Sequence, residues 1–294
     1  MRILVLGANG QVGSRLVAMA LDRGHEIAGT SHTSEPALAV PLHQHDVREW
    51  PPEAVDLSSF DAVCNCVAMT DVDACEGDRE RAMAVNATAP GEIAAACEDA
   101  GTPFMHLSTD YVFDGTALTP YAEGDEPRPV QVYGESKLAG ERRVREAHPE
   151  ALVLRLSFVY GRHGATGDLT GFPAWLRGRL ERGERTPLFT DQHVSPSRAE
   201  SVATTALSLL TMSETGLFHV ACRSCVTPFE FGRELADRLG YDTDALLAEG
   251  TQADVDRPAT RPTYTCLDTT KLQDTLDQPV PTLREAVATL CDQL

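Results

Sequence analysis

The chain has 294 residues, enough to bury a sizeable core in one large or two modest domains. Hydrophobic residues make up 42%, which excludes a disordered chain, and a net charge of −19 excludes nucleic acid as a partner, since phosphate binding needs clustered cations. No apolar run approaches the length of a membrane span, and Met1 leads directly into an apolar strand with no signal peptide, so the expectation is a cytoplasmic protein with reduced thiols.

The acid excess is spread along the chain, and Lys137 and Lys271 are its only lysines. That pattern points to a halophile-type surface, with an ordinary acidic bacterial enzyme as the alternative. Of the eight cysteines, Cys222 and Cys225 form a C-x-x-C pair with no second pair at zinc spacing. They read as two small residues near a strand end. No His, Cys, Asp or Glu cluster has spacing that demands a metal.

Arg2–Leu6 is a continuous apolar run, as expected of a strand buried on both faces. Gly7-Ala8-Asn9-Gly10-Gln11-Val12-Gly13 follows, and residues 14–23 have helical spacing. Glycines at a strand-to-helix turn let the backbone approach a pyrophosphate, and the helix start supplies amides and partial positive charge. The spacing is GxxGxxG, the variant seen in short-chain dehydrogenases/reductases, which this stretch resembles. A second strand is expected at 25–30. Its end reads Thr30, Ser31, His32, Thr33, with no acid to repel a 2′-phosphate, which favours NADPH. Glu35 lies slightly beyond and keeps NADH open.

A third strand at 40–45 ends at Asp46-Val47, and a fourth at 61–67 leads into Ala68. Small residues from Cys66 to Ala68 would let a dinucleotide pass closely. Helix is expected at 80–85 and on through 100, broken by Gly101-Thr102-Pro103. The strand at 104–107 delivers Ser108, Thr109, Asp110 and Tyr111 to the carboxyl end of a parallel sheet, where ligands bind. Ser108 and Thr109 are candidate hydroxyl donors to a substrate carbonyl; ordinary turn chemistry explains the same residues.

The next helix is expected over Val132–Ala147, stopped by His148-Pro149. It places Tyr133 and Lys137 four residues apart, on one face. An ammonium one turn away should favour the phenolate and pull the phenol towards working pH; a surface pair is the alternative. Further elements are expected at 151–156, 188–190 and 216–221 (strands) and at 173–182, 199–210, 227–239 and 282–290 (helices). The helix at 173–182 carries Arg177, Arg179 and Arg182, either a patch for a nucleotide diphosphate or a solvated face. Thr227, Pro228 and Glu230 form a helix start.

GANGQVG, NCVAMTDVDACE (65–76), VNATAP (85–90), STDYVFDG, PVQVYGESKLAGE and LRLSFVYG together resemble the dTDP-4-dehydrorhamnose reductase family, within the extended short-chain dehydrogenase/reductase superfamily. DQHVSPS (191–197), Arg261-Pro262 and Leu267-Asp268 resemble its later segments. The resemblance implies a doubly wound parallel Rossmann sheet over 1–156, joined by a helix at about 198–212, and a smaller C-terminal α/β substrate domain, mainly 157–294. It implies Thr109, Tyr133 and Lys137 as the catalytic set. Cofactor contacts would be Gly7, Asn9, Gly10, Gln11, Val12, Gly13, Ser31, His32, Asp46 (to the adenine amino group), Val47, Cys66 and Ala68, with Tyr133 and Lys137. Ser108, Tyr111 and Phe158 would face the sugar.

The implied reaction is NADPH-dependent reduction of the 4-keto group of a nucleotide-linked deoxysugar. Three departures lie on the substrate side: Phe158 replaces the usual Trp, Val194 replaces a Gly, and 162–172 lacks the usual G-x-N-F wording. An epimerase or dehydratase is one alternative, since Asp110 stands where a dehydratase needs an extra carboxylate. A non-catalytic dinucleotide-binding subunit like that of methionine adenosyltransferase is another. The sugar, the stereochemistry, a divalent ion at a dimer contact and a homodimer itself stay open.

Overall fold

Both faces of β1 (Arg2–Leu6) are covered, which is why its sequence shows no alternation. Ile3 and Val5 enter one core; Leu4 and Leu6 enter the core on the opposite face. The structure is a computed structural model and describes residues 1–32, 40–50 and 55–294. Thr33 and Glu35, weighed above for cofactor choice, lie outside the described residues.

From β1 the chain runs through α1 (Gln11–Asp22), β2 (Glu26–Ser31), β3 (Leu42–Gln44), β4 (Ala62–Asn65), α2 (Val72–Gly77), α3 (Arg79–Met83), α4 (Ala89–Ala100), β5 (Phe104–Thr109), α5 (Val132–Ala147) and β6 (Leu152–Leu156). A short antiparallel hairpin follows, β7 (Gly161–Arg162) and β8 (Leu169–Thr170). Then come α6 (Phe172–Glu181), β9 (Thr186–Phe189), α7 (Ala199–Thr211), β10 (Gly216–His219), α8 (Pro228–Arg238), α9 (Thr243–Leu246), β11 (Leu247–Gly250), α10 (Thr270–Leu276) and α11 (Leu283–Cys291).

Seven strands form one parallel sheet in the order β10-β6-β5-β4-β1-β2-β3. The fold is the expected doubly wound α/β architecture. The chain reverses direction across the sheet at β1, so a crevice opens beyond the carboxyl ends of β1 and β4. Two elements from the second half complete this layer: α7 packs along α1, and β10 pairs with β6. A separate core built on Tyr160, Leu176, Leu188, Phe231, Leu235 and Val287 holds the smaller α/β layer, where β9 pairs with β11.

The helix expected to run unbroken to residue 100 is divided. A π-helical turn, Ala84–Thr88, separates α3 from α4. Pro90, near the start of α4, has no N–H to give the carbonyl four residues back. The bulge points Asn86 inward. Its amide brackets Met69, accepting from the N–H (2.8 Å) and donating to the C=O (3.0 Å), and also donates to Ser136 on α5 (3.0 Å).

The cysteines are not all reduced, contrary to expectation: Cys225 and Cys266, 41 residues apart, form a disulfide with Cα atoms 5.4 Å apart. The cause is strand pairing. His193 bridges to Tyr264 and Val194 to Val226, so the segments carrying the two cysteines flank one short extended stretch.

Candidate functional site

The glycine turn after β1 is shaped for close approach. Gly7 has φ +74°, and a Cβ on Gly13 would lie 2.2 Å from the Gly7 carbonyl oxygen. Gly13 is buried beneath the turn, so it sets the turn's shape rather than lining the crevice. The Asn9 carbonyl is met by His163 Nε2 at 3.1 Å.

Two cavities adjoin at Ala68. One, about 240 Å³, is lined by Gly7, Ser31, His32, Asp46, Val47, Arg48 and Ala68. The other, about 490 Å³, is lined by Gly10, Gln11, Val12, Cys66, Ala68, Thr109, Tyr133 and Lys137. Together they form a groove over the glycine turn that fits an elongated dinucleotide. Burial pushes the Cys66 thiol up to about 12, so it is inert packing. Asp46 is already engaged: Arg48 donates to both carboxylate oxygens, and His32 Nε2 lies 3.3 Å away. The Arg48 guanidinium holds this carboxyl well below the usual range.

Thr109 closes β5, and Tyr133 and Lys137 sit in the first turns of α5. Gln131 starts that helix, its side chain accepting from the Gly134 N–H at 3.0 Å. Tyr133 meets Tyr111 edge to face at 6.1 Å between ring centres. The expected effect of Lys137 on the phenol is not what the structure has. Burial pushes the Tyr133 hydroxyl above its ordinary range. Lys137 Nζ instead donates to the Leu107 carbonyl (2.6 Å) and lies 3.4 Å from His106 Nε2. Burial brings Lys137 down to about 8, opposed by the charge of Glu141.

Ser108 and Thr109 part company, as neighbours on a strand must. The Ser108 hydroxyl donates to Glu141 (2.6 Å), which is paired with Arg155 through two hydrogen bonds of 2.8 and 2.7 Å. Its proton is therefore committed to a buried ion pair, against the expected donation to substrate. Both residues line the cavity, but Thr109 donates to Asp110 Oδ1 (3.0 Å).

A third cavity, about 580 Å³, shares Val72, Tyr111 and Phe158 with the second. Phe158 has φ +44°, rare for a bulky side chain, and packs on Phe172 and Phe231. Tyr111 accepts from Gln192 Nε2 at 3.2 Å. Of the two readings of the arginines on residues 173–182, a solvated face describes Arg177 and Arg182, which pair with Glu181 and Glu184. Arg179 lines the cavity, 5.5 Å from the Trp175 ring centre. Sequence reasoning missed the other two arginines. Arg257 lies over Phe189 at 4.8 Å, and Arg261 forks onto Asp73 at 3.0 and 2.9 Å. It also missed Asn86, His106, Glu141 and Gln192. Asn86, Glu141, Gln192 and Arg261 lie in stretches that carry the family resemblance, but no local pattern gave them a role, because each acts on a residue distant along the chain.

Among the described residues, no group of three or more His, Cys, Asp and Glu side chains is arranged to hold a metal ion, and no helix is long and apolar enough to cross a membrane.

The family model for the RmlD substrate binding domain matches residues 1–294. The chain is 49% identical, over 99% of its length and 97% of the relative's, to the "Probable low-salt glycan biosynthesis reductase Agl14" of Haloferax volcanii. It is 36% identical to the dTDP-4-dehydrorhamnose reductase of Mycobacterium tuberculosis, over 98% of this chain and 91% of that one. The crystal structure of dTDP-4-dehydrorhamnose reductase from Bacillus anthracis in complex with NADP superposes with a TM-score of 0.85 at 23% identity, covering 100% and 99% of the two chains.

Proposed function

We propose, for a chain that belongs to the dTDP-4-dehydrorhamnose reductase family, that it catalyses NADPH-dependent reduction of the 4-keto group of a nucleotide-linked deoxysugar. The observation that carries this reading is the place of Thr109, Tyr133 and Lys137, where a dinucleotide-sized groove meets an aromatic and arginine-lined cavity. In this reading residues 1–156 with α7 hold the dinucleotide, and most of the nucleotide-sugar wall comes from 157–294.

Bound NADPH supplies the hydride that reaches the ketone carbon. Tyr133 gives its proton to the oxygen, the product is an alcohol, and the phenolate recovers a proton from solvent. A buried phenol of raised pKa holds its proton until the oxygen has become strongly basic. Lys137, brought down to about 8, still carries its charge at neutral pH and lines the same cavity as Tyr133, its ammonium held on the Leu107 carbonyl. Gly7 and Gly10 admit the pyrophosphate to the backbone. Tyr111 and Phe158 form the shelf between the two cavities, against the sugar.

NADPH is favoured over NADH by the charges around the smaller cavity. Its ionisable lining is Asp46 against Arg48 and Arg81, with His32 and His45, and Asp46 is neutralised by Arg48. The dehydratase reading needs a free acid beside Thr109, and Asp110 is already occupied by three hydroxyl donors. The intact catalytic set disfavours a purely regulatory subunit. The acidic, lysine-poor composition supports a protein suited to high salt.

The test is a screen of nucleotide-activated 4-keto sugars for loss of NADPH absorbance. One sugar should consume NADPH mole for mole, and Tyr133→Phe should slow it roughly a hundredfold or more while dinucleotide still binds. Wild-type turnover in Tyr133→Phe removes the tyrosine from the chemistry. A protein that binds NADPH but consumes none with any 4-keto sugar is not this reductase.

A further inference from the structure

Asp110 follows Thr109 and is 2% exposed, and among the described residues no cation pairs with it. Hydroxyls meet its carboxylate instead. Thr109 Oγ1 donates to Oδ1 at 3.0 Å; Ser157 Oγ and Thr265 Oγ1 donate to Oδ2 at 2.7 and 2.5 Å. They come from three parts of the chain: the end of β5, the loop after β6, and the segment beside the disulfide.

A hydroxyl has one proton and two lone pairs. The Thr109 proton lies on Asp110. One lone pair takes the Tyr111 N–H at 3.2 Å. The other is left facing the cavity that Tyr133 also lines. We propose that Asp110 is a positioning residue that sets the direction of the Thr109 hydroxyl, so that Thr109 meets the reacting end of the substrate as an acceptor. This rests on the reductase reading above and reverses the donor role expected of Thr109. It also narrows the substrate. Tyr133 supplies the proton to the ketone oxygen, and the remaining Thr109 lone pair takes a donor from the substrate, an unsubstituted hydroxyl on the carbon next to the ketone.

Besides Asp110, the titratable groups lining this cavity are Cys66, Tyr111, Tyr133 and Lys137. Burial raises Asp110 to about 6, with Thr265, Ser157 and Thr109 pulling it back. Each donor removed should therefore raise it further.

Two measurements test the proposal. The first needs no turnover: a pH titration of the protonated Asp110 carbonyl stretch by difference infrared, with Asp110→Asn as the blank. Thr109→Ala should move the midpoint to higher pH, and so should Thr265→Val. A midpoint unmoved by Thr109→Ala overturns the proposal, even in a protein that reduces nothing. The second is a cycle on kcat. Asp110→Asn should cost roughly ten- to a hundredfold, the worth of a charge-assisted hydrogen bond, with the NADPH dissociation constant within about twofold. In a Thr109→Ala background it should cost no more than about twofold. Thr109→Ser, which keeps the hydroxyl, should retain the dependence of kcat on Asp110. Losses that multiply, or dinucleotide affinity that falls with kcat, mark Asp110 as merely structural. Thr265→Val keeps the test open if Asp110→Asn does not fold: its acid limb of kcat should shift upward, and an unshifted limb overturns the proposal.

Discussion

Gly134 stands against Tyr111 so closely that a Cβ there would lie 2.1 Å from the Tyr111 carbonyl oxygen. The same Cβ would come within 2.5 Å of Gln131 Oε1, the cap of α5. This contact sets how near the first turn of α5 comes to the end of β5, and so how near Tyr133 comes to Thr109. Gly134→Ala should destabilise the fold by roughly 1–3 kcal/mol, as overpacking does, and lower kcat by roughly tenfold or more through misplacement. Thermal unfolding and turnover read the two effects. Wild-type values in both would show that α5 can give way at no cost.

Lys137 is buried with its ammonium on the Leu107 carbonyl and beside His106. A guanidinium is larger, planar and not a point charge. Lys137→Arg should therefore lose roughly a hundredfold in kcat despite keeping the charge. Turnover near wild type would show that any cation suffices.

Arg48 tests the cofactor reading at a position that does no chemistry. Arg48→Ala should raise KM for NADPH roughly tenfold and leave KM for NADH within about twofold, because only the former carries a 2′-phosphate. Equal rises for both would assign Arg48 to the shared adenosine.

His219 is buried between Arg155 and the Asp268 carbonyl, and burial lowers it from 6.5 to about 3. The unfolded chain binds this proton more readily than the folded one. The stability it contributes is full above about pH 6.5 and is lost as pH falls towards 3. His106 is lowered in the same direction. The melting temperature should decline steadily below pH 6.5, with a shallower slope in His219→Gln. Identical slopes would place the acid sensitivity elsewhere.

The Cys225–Cys266 bridge closes a loop with a sequence separation of 41, which on chain-entropy grounds is worth on the order of 4 kcal/mol. Thiol titration in denaturant should find six free cysteines before reduction and eight after. Reductant should lower the melting temperature of the wild type and not that of Cys225→Ser. Eight free thiols without reductant would show that the bridge does not form.

Much of the frame can be read locally. The expected β1 and α5 coincide with the observed ones, and α8 starts with the Thr227–Glu230 capping box and Pro228 that its sequence indicates. Where reading failed, one long-range partner explains it. The π-helical turn before Pro90 serves Asn86, which binds Met69 and Ser136, so a pattern of helix formers alone did not reveal it.

Residue types and their spacing along the chain were enough to determine the seven strands of the main sheet, the glycine turn, and a tyrosine and lysine on one helical face, but not β7, β8 or β11. Periods of 2.0 and 3.6 residues are local properties. Only the tertiary structure decided where the protons and charges go. It sent Ser108 to Glu141 and Thr109 to Asp110, neutralised Arg177 and Arg182, and brought Arg257 and Arg261 to the cavity instead. A hydroxyl's one proton goes to whichever acceptor folding places nearest, and that acceptor need not be close along the chain.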